Sequence, residues 1–321
     1  MTTVAVVAHA RKSLGGGLPE LREVLAAEGV TEPLWYEVSK SRKAPKRVRR
    51  ALAQGADLIF VWGGDGMVQH CVDAVTGTDA ALAILPAGTA NLLATNLTVP
   101  ADLAGAVRIG LHGDRRAIDT GTVNGEHFAV MAGAGFDALM IAGASSRMKE
   151  RVGRLAYIYT GARNLSVQRT KAVIKVDGKP FFSGRLSCVL VGNVSKVFGG
   201  IDVFSDARPD DGILDVGLVT AKNPAEWARA LGRIAAGNPR KSPLIRITRG
   251  RRITVRFDRA FPYELDGGAR KPAKKLRIKV RPASVRICVP AASGAGRDSR
   301  DSQDSQGGRG SRGSRGSSRS T

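Results

Sequence analysis

The first 110 or so residues alternate between short apolar runs and amphipathic segments, and this alternation restricts the fold more than any other feature. The apolar runs are continuous, as expected for parallel strands buried on both faces. Strands joined by helices over short connections predict a parallel sheet covered on both faces. The strands are predicted at Val4–Ala8, Leu34–Val38, Asp57–Trp62 and Ala81–Leu85. The helices are predicted around Leu18–Leu25, between the second and third strands, around Met67–Val75 and over Thr89–Asn96.

The second half has a different pattern, because from about Thr122 most segments alternate apolar and polar residues as strands do. Asp177-Gly178 is a dipeptide that favours a hairpin turn. One helix is predicted from the apolar face shared by Met148, Val152, Leu155 and Tyr159. We therefore expect an α/β domain over residues 1–121 and a mainly antiparallel β domain over 122–290, whose last strand can return to the first domain. The tail over 291–321 is mostly Gly, Ser, Arg, Asp and Gln and is predicted to be disordered.

The composition favours a basic protein of the reducing cytoplasm. Lys and Arg outnumber Asp and Glu by 50 to 28, a net charge of +22, which favours phosphates, anionic lipid or nucleic acid as partners. Three scattered cysteines argue against a disulfide framework, and four scattered histidines lack zinc-ligand spacing. No apolar run approaches the roughly 18 residues of a membrane span.

Two consecutive predicted strands end in glycine-rich loops. Asp57–Trp62 runs into Gly63-Gly64-Asp65-Gly66, and the next strand runs into Pro86-Ala87-Gly88-Thr89-Ala90-Asn91. Ligands bind at the carboxyl ends of parallel strands, and glycine loops that open helices suit phosphate. Thr89 is predicted to cap its helix. Either loop alone is compatible with an ordinary turn or cap, but the pair favours a phosphate site, at which Asp65 would bind Mg²⁺ or take a proton from an acceptor hydroxyl.

These loops resemble those of the diacylglycerol kinase catalytic-domain family, which includes bacterial lipid kinases and sphingosine kinases. That family carries GGDGTxNE and, about twenty residues later, PxGTxNxxA; this chain carries GGDG and LPAGTANLLATNL. Further landmarks follow in order: MAGAGFDALMI, VGRLAYIYTG, VGNVSKVFGG, DARPDDGILDVGLV and PYELDGG. The resemblance covers about residues 1–290, although GGDG alone also occurs in NAD kinases and phosphofructokinases.

The resemblance implies a nucleotide-binding α/β domain, a β-sandwich second domain and an active site in the cleft between them. It implies transfer of the ATP γ-phosphate to a lipid hydroxyl of the diacylglycerol type. The residues implied to hold the ATP phosphates are Gly63, Gly64, Asp65, Gly66, Gly88, Thr89 and Asn91, and Lys12 in the first glycine loop also suits phosphate. The loop with Asp210 and Asp211 is implied to hold a structural Mg²⁺, largely through carbonyl oxygens; a plain acidic turn is the alternative.

Several positions depart from the family pattern. The expected Thr, Asn and Glu after GGDG are Met67, Gln69 and His70, and the Glu of the late DGE triplet is Gly268. Phosphoryl transfer depends mainly on positioning and charge neutralisation, to which a general base adds about 10²–10⁴-fold. The remaining candidates are Asp65 as the base, and Asp266 as the base or its support, although Asp266 also suits a hairpin turn.

Two other functions stay open on these departures. One is a nucleotide- or lipid-binding relative without catalysis, and the other is a different GGDG kinase, such as one that acts on NAD. His9 is expected to be a strand-end residue rather than a catalytic one.

Basic segments indicate where the protein would meet a partner. They are Ser41–Arg50, a stripe with Arg147, Arg151 and Arg154, and the strands from Arg246 to Arg286. Each is compatible with a solvated face, but a lipid kinase must reach an anionic leaflet, where each nearby cation contributes about 1 kcal/mol. We expect a lipid substrate and peripheral association with the inner face of the membrane. Nucleic-acid binding is not expected, since only 5% of residues are aromatic. The oligomeric state stays open, with a homodimer among the options.

Overall fold

The computed structural model describes residues 2–135, 169–197 and 201–291. The helices are α1 Gly17–Ala27, α2 Ala44–Ala53, α3 Asp65–Val75, α4 Leu92–Asn96, α5 Leu103–His112 and α6 Pro224–Ala235, with 3-10 turns at Ser41–Lys43 and Pro239–Lys241. The strands are β1 Val4–His9, β2 Leu34–Val38, β3 Leu58–Gly63, β4 Ala81–Pro86, β5 Asp114–Val123, β6 Glu126–Phe128, β7 Met131–Ala134, β8 Thr170–Val176, β9 Lys179–Leu186, β10 Cys188–Gly192, β11 Lys196–Val197, β12 Ile201–Asp202, β13 Leu214–Val219, β14 Ile245–Gly250, β15 Arg252–Leu265 and β16 Gly268–Val289.

The first half is built on a parallel sheet in the order β2-β1-β3-β4. Strands β3 and β4 consist entirely of buried residues, as their continuous apolar sequence predicts. They pair in register up to their last residues, Gly63 and Pro86. Both glycine-rich loops therefore leave the sheet side by side. Helices α1, α2 and α3 place buried apolar residues against this sheet, among them Leu21, Val48 and Val72.

The second half is antiparallel and has two layers. Strands β14, β13, β10, β7 and β15 are hydrogen-bonded in that order, and β15 also pairs with β8 and β16. Apolar side chains from both layers form one buried cluster, to which Val216, Ile174 and Val255 belong. The alternation in 170–176 is regular, with every second residue buried. The predicted fold class, an α/β domain followed by an antiparallel β-sandwich, is confirmed.

Strand β16 links the two halves. Its 22 residues pair first with β15 and β5 and finally, at Arg286 and Ile287, run parallel to β4. The boundary predicted after residue 121 lies inside strand β5. Residues 1–291 accordingly form one compact unit.

The structure corrects one predicted helix and adds another. The helix predicted from Thr89 begins at Leu92, so Thr89 lies in the loop and caps nothing. Helix α6 was not predicted, although Asn223 caps it through its side chain and Trp227 and Leu231 form its buried face. The helix predicted around Met148 and the tail after Ala291 lie outside the described residues. None of the helices in the described ranges is long and apolar enough to cross a membrane.

Candidate active site

The two glycine-rich loops touch each other through Gly64 and Gly88. A Cβ on Gly88 would lie 2.4 Å from the Gly64 Cα, and a Cβ on Gly64 would lie 3.1 Å from the Gly88 Cα. Any side chain at position 88 would therefore push the loops apart. These two glycines are explained by the contact between the loops, which brings both backbones to one place.

Gly63 and Gly66 differ in what surrounds them. A Cβ on Gly63 would lie 2.5 Å from the Met67 Cβ, and Met67 is buried. The departure from Thr at position 67 is thus a core side chain that packs on Gly63. A Cβ on Gly66, by contrast, would have no heavy atom within 4 Å, and Gly66 is exposed at the start of α3. The internal packing of the described residues does not require glycine at position 66, which leaves open space beside the first turn of α3.

Asn91 fixes the shape of the second loop. It adopts the left-handed conformation with φ 46°, which Asn tolerates better than most residues. Its Oδ1 accepts from the Gly88 N–H at 2.9 Å, and its Nδ2 donates to the carbonyls of Pro86 and Gly88, both at 2.9 Å. These hydrogen bonds engage both polar atoms of the Asn91 side chain within the loop. The side chain therefore sets the conformation of the loop. Thr89 is exposed and makes no side-chain hydrogen bond with the described residues.

Asp65 joins the two loops electrostatically. Its Oδ1 accepts from the Leu92 N–H at 2.5 Å, so it takes the capping role predicted for Thr89. Burial raises the pKa of Asp65, against the N–H groups of Leu92 and its neighbours, which lower it. Its side chain is nevertheless only half-buried. A half-buried carboxyl with a raised pKa is suited to accept a proton.

Asp266 is a turn residue with a buried carboxylate. With Gly267 it forms the two-residue turn between β15 and β16, at φ 45° and 79°. Its carboxylate accepts from the N–H groups of Ala129, Val130 and Met131 at 2.8–2.9 Å. Burial raises the pKa of Asp266 to about 6, and Asp65 raises it further, against these three donors.

The side chain of Asp266 is thus tied to the segment before β7 and only 4% of the residue is exposed. Of the two predicted roles of Asp266, the base itself or the support of another base, this geometry favours the supporting one. Because the charge of Asp65 also raises the pKa of Asp266, the two predicted acids lie close enough to interact.

Arg270 occupies the space next to the missing glutamate. A Cβ on Gly268 would lie 2.7 Å from the Arg270 Nη1, which donates to the Gly268 carbonyl at 2.8 Å. The guanidinium also pairs with Glu126 on β6 and contacts Gln69 on α3 at 3.3 Å. Arg270 therefore connects the second half to α3 through Gln69, which stands where the family has Asn. It also lies against Gly268, which stands where the family has Glu.

The two histidines near α3 have different surroundings: His70 has a lowered pKa, and His127 is hydrogen-bonded to Asp73. Burial and the charge of Arg270 lower the pKa of His70, so it is neutral near pH 7. His127 contacts Asp73 at 2.9 Å, and this hydrogen bond lowers the pKa of Asp73. His9 lies at the end of β1, as predicted, and burial together with Lys12 lowers its pKa.

Lys12 lies in the loop that follows β1. Its side chain is exposed, and its carbonyl accepts from the Trp62 Nε1 at 3.0 Å. Since Trp62 is the residue before Gly63, this bond fixes the first loop beside the GGDG segment.

The acidic loop after β12 is charge-compensated by arginines. Asp211 pairs with Arg249 and also accepts from the Ile213 N–H at 3.0 Å. Asp210 pairs with Arg116 at 2.5 Å. Arg249 also contacts Asp215, whose side chain is only 3% exposed, at 3.3 Å.

The described residues contain no group of three or more His, Cys, Asp or Glu side chains arranged for a metal ion. The predicted structural Mg²⁺, held largely through carbonyl oxygens of this loop, stays a prediction. The carboxylates of Asp210 and Asp211 are themselves engaged by cations. Their positive partners are the guanidinium groups of Arg116 and Arg249.

The fold defines an α/β half followed by a β-sandwich half, with two glycine-rich loops in contact at the carboxyl ends of β3 and β4. A family model described as the diacylglycerol kinase catalytic domain matches residues 10–123. A second, described as the YegS C-terminal NAD kinase beta sandwich-like domain, matches residues 130–289. The chain belongs to the diacylglycerol kinase catalytic-domain family, a family of lipid kinases, and the resemblance seen in the sequence is confirmed.

Individual relatives agree. The chain is 32% identical over 253 residues to a probable lipid kinase, YegS-like, of Pseudomonas fluorescens, covering 78% of this chain and 83% of that protein. It is 30% identical over 228 residues to the diacylglycerol kinase of Bacillus subtilis, covering 70% of this chain and 75% of that protein.

A diacylglycerol kinase from Bacillus anthracis shares the fold, with a TM-score of 0.71, 21% identity and coverage of 89% and 96%. An NAD kinase from Archaeoglobus fulgidus is more distant, with a TM-score of 0.51, 11% identity and coverage of 89% and 93%. The family's kinases imply ATP as the phosphate donor.

Proposed function

We propose that this protein is an ATP-dependent lipid kinase that transfers the γ-phosphate to the hydroxyl of a diacylglycerol-like lipid. The observation that carries the proposal is the contact between Gly64 and Gly88, which brings two glycine loops of neighbouring strands together beside the open space at Gly66. Backbone N–H groups at a helix N-terminus suit a phosphate chain. The Bacillus subtilis relative is itself named a diacylglycerol kinase.

In this proposal the GGDG loop and the Gly88 loop bind the ATP phosphates through their backbones. The open space beside Gly66 admits the phosphate chain next to the first turn of α3. The exposed Lys12 and the exposed hydroxyl of Thr89 add positive charge and a hydrogen bond. Asn91 supports this arrangement by holding its loop closed.

Asp65 is the residue that we assign to the acceptor. The lipid hydroxyl would donate its proton to the Asp65 carboxylate as its oxygen bonds to the γ-phosphorus and the bond to the ADP oxygen breaks. The raised pKa of Asp65 and its partial exposure support this role. Asp266 would act as a positioning residue, because its carboxylate already accepts three backbone hydrogen bonds.

A Mg²⁺ ion bound to the ATP phosphates would neutralise their charge. Among the predicted acidic residues, Asp65 is the one that we assign to such an ion, because Asp210 and Asp211 are engaged with arginines. The steps assigned to the side chains above do not depend on where the ion sits.

The test is a phosphorylation assay with labelled ATP and a panel of lipid acceptors, with NAD as a further acceptor. Wild type should label diacylglycerol or a related lipid alcohol, and Asp65→Asn should bind ATP but transfer phosphate at least about 100-fold more slowly, the lower end of what a general base contributes. ATP binding without transfer to any lipid would contradict the proposal. Labelling of NAD alone would favour the NAD kinase alternative.

A second candidate, a nucleotide-binding relative without turnover, is favoured by one observation. Arg270 lies against Gly268, where the family's glutamate is absent. The same assay separates the two, because the second candidate predicts ATP binding and no phosphorylated product.

A further inference from the structure

One face of the second half carries a concentration of unpaired cations. Strand β8 alternates buried apolar residues with exposed Lys171, Val173 and Lys175. Because directly paired residues of neighbouring strands point to the same side of a sheet, this exposed row continues across β15 and β16. Val173 pairs with Arg256, and Arg256 pairs with Lys275.

We call this surface the basic face and define it by its six cations and one apolar residue. They are Lys171, Lys175, Arg185, Arg256, Lys275 and Arg277, with Val173 among them. Lys171 is paired directly with Arg185, and Lys175 and Arg277 both lie opposite Thr254. Directly paired residues such as Lys171 and Arg185, or Arg256 and Lys275, have Cβ atoms about 4.5–5.5 Å apart.

The cations of the basic face lack acidic partners. None of the six forms an ion pair with another described residue. Partial burial lowers the pKa of Lys275, and the charges of Arg277 and Arg256 lower it further. Like charges held this close repel one another, so the face lowers its free energy by binding an anion.

Two further features favour a lipid partner. Among the described residues, Val173 is the one large hydrophobic residue that is exposed, with 43% of its surface accessible. A groove of about 390 Å³ lies beside it, and the cations in its lining are Lys171, Arg185 and Arg256. Asp258 also lines the groove, where its carboxylate accepts a hydrogen bond from the Thr170 hydroxyl at 2.5 Å. An apolar side chain within a cationic rim matches the headgroup region of an anionic bilayer.

Nucleic acid would use the same charge but favours aromatic stacking platforms. Phe257, the aromatic residue that lines the groove, is only 6% exposed and packs on Phe261, so it offers no open ring face for stacking.

We propose that the basic face is the surface by which this protein docks on anionic bilayers, with the groove beside Val173 receiving an anionic headgroup. The proposal rests on the proposed function only in that a lipid kinase finds its acceptor in a bilayer. It goes beyond the basic segment of α2, since that helix buries Ala44, Val48 and Ala51 and none of its cations lines the groove beside Val173.

The test compares two triple variants with the same change in net charge. The first is Lys171→Gln, Arg256→Gln and Lys275→Gln on the basic face. The matched control is Arg42→Gln, Lys46→Gln and Arg49→Gln in and beside α2, where all three side chains are exposed. Binding is measured without ATP by sedimentation with vesicles of phosphatidylcholine and phosphatidylglycerol, and with vesicles of phosphatidylcholine alone.

Wild type should bind the anionic vesicles, and added salt should release it. The basic-face variant should bind about 100-fold more weakly, because each of three cations contributes roughly fivefold near an anionic surface. Binding of the control variant to the same vesicles should weaken by less than about tenfold. Equal losses in both variants, or wild-type binding to duplex DNA or RNA with none to vesicles, would overturn the proposal.

Two further measurements keep the outcome clear. Hydrogen exchange of the wild type should slow in β8 and β9 when anionic vesicles are added, whatever the stability of the variants; unchanged exchange there would contradict docking through this face. Turnover on a short-chain diacylglycerol in neutral detergent should be the same in wild type and both variants. Absence of turnover in every sample would count against the proposed function, while vesicle binding would still decide the basic face.

Discussion

Asp65 in the first glycine loop accepts a hydrogen bond from the Leu92 N–H at 2.5 Å and so caps the helix that follows the second loop. The two loops are thereby joined by a side chain as well as by the Gly64–Gly88 contact. Asp65 consequently has a structural role that is separable from its proposed chemical one.

Asp65→Ala should destabilise the protein, whereas Asp65→Asn should not. Alanine leaves the Leu92 N–H without its acceptor, at a cost of about 0.5–2 kcal/mol, while asparagine keeps an oxygen at the same place. Urea unfolding of both variants measures the difference. Equal stability of the alanine and asparagine variants would contradict the capping role, and equal loss of phosphate transfer in both would support the chemical one.

Gly66→Ala should stabilise the protein and weaken ATP binding. The new Cβ meets no protein atom within 4 Å, and alanine is favoured over glycine in a helix by roughly 0.5–1 kcal/mol. It would, however, occupy space that we assign to the phosphates, so the Kd for ATP should rise about tenfold or more, or roughly 1.4 kcal/mol.

Gly232→Ala is the matched control for Gly66→Ala. It lies on α6, is exposed and also has no atom near its added Cβ. It should gain stability and leave ATP binding unchanged, as measured by thermal unfolding and calorimetric titration. If Gly66→Ala bound ATP as well as this control does, the phosphates would lie elsewhere.

Gly268→Glu should leave the rate of phosphate transfer nearly unchanged. The new carboxylate would lie against Arg270, which would pair with it and keep it from the acceptor. Steady-state kinetics should therefore show far less than the roughly 100-fold gain that a new general base provides. A gain of that size would mean that Asp65 does not serve as the base in the wild type.

Asp266→Asn should remove a pH-dependent part of the stability. Because the pKa of Asp266 is raised to about 6 in the folded state from 3.8, the carboxyl binds protons more tightly when folded. Its contribution is fully present below about pH 4 and is lost as the pH rises through 6.

Urea unfolding between pH 4 and 7 tests this, with the difference between wild type and Asp266→Asn isolating one carboxyl. Asp215 has a pKa of about 6 for a similar reason, so the wild-type profile alone does not distinguish them. Parallel profiles in wild type and variant would show that Asp266 does not titrate in this range.

Arg249→Met should destabilise the acidic loop and create a response to Mg²⁺. The substitution leaves Asp211 and the buried Asp215 without their cation. The loss should approach the roughly 3–5 kcal/mol seen when one partner of a buried pair is removed, reduced because Arg249 is partly exposed. Thermal unfolding of wild type should not respond to a chelator, while added Mg²⁺ should partly restore the variant.

Arg246→Met on the same strand is the control, since Arg246 is exposed. It should change the stability little and show no response to Mg²⁺. A wild-type protein that loses stability with a chelator would contradict the assignment of Arg249 as the cation of this loop.

Local patterns were sufficient for the scaffold of the site. Strands β3 and β4 could be predicted because short, continuous apolar runs are typical of buried strands. The loops after them could be predicted because clustered glycines interrupt regular structure. The start of α4 could not, since Asn91 takes a left-handed conformation that sequence does not announce.

The charge network of the site depends on contacts between distant residues. Arg270 meets Glu126 across 144 positions, and Arg249 meets Asp211 across 38. An arginine in a strand has the same local pattern whether it faces solvent or a buried acid, so a single sequence does not distinguish the two. For that reason the arginine partners of Asp210 and Asp211 could not be predicted from the sequence.

Strand β16 has a consequence for how the protein is made. The edge of β4 is completed by Arg286 and Ile287, near the end of the described chain. During synthesis the first half therefore waits, with this edge of its sheet unpaired, until β16 has left the ribosome. A fragment that ends with β5 would carry an open edge on which other chains can pair.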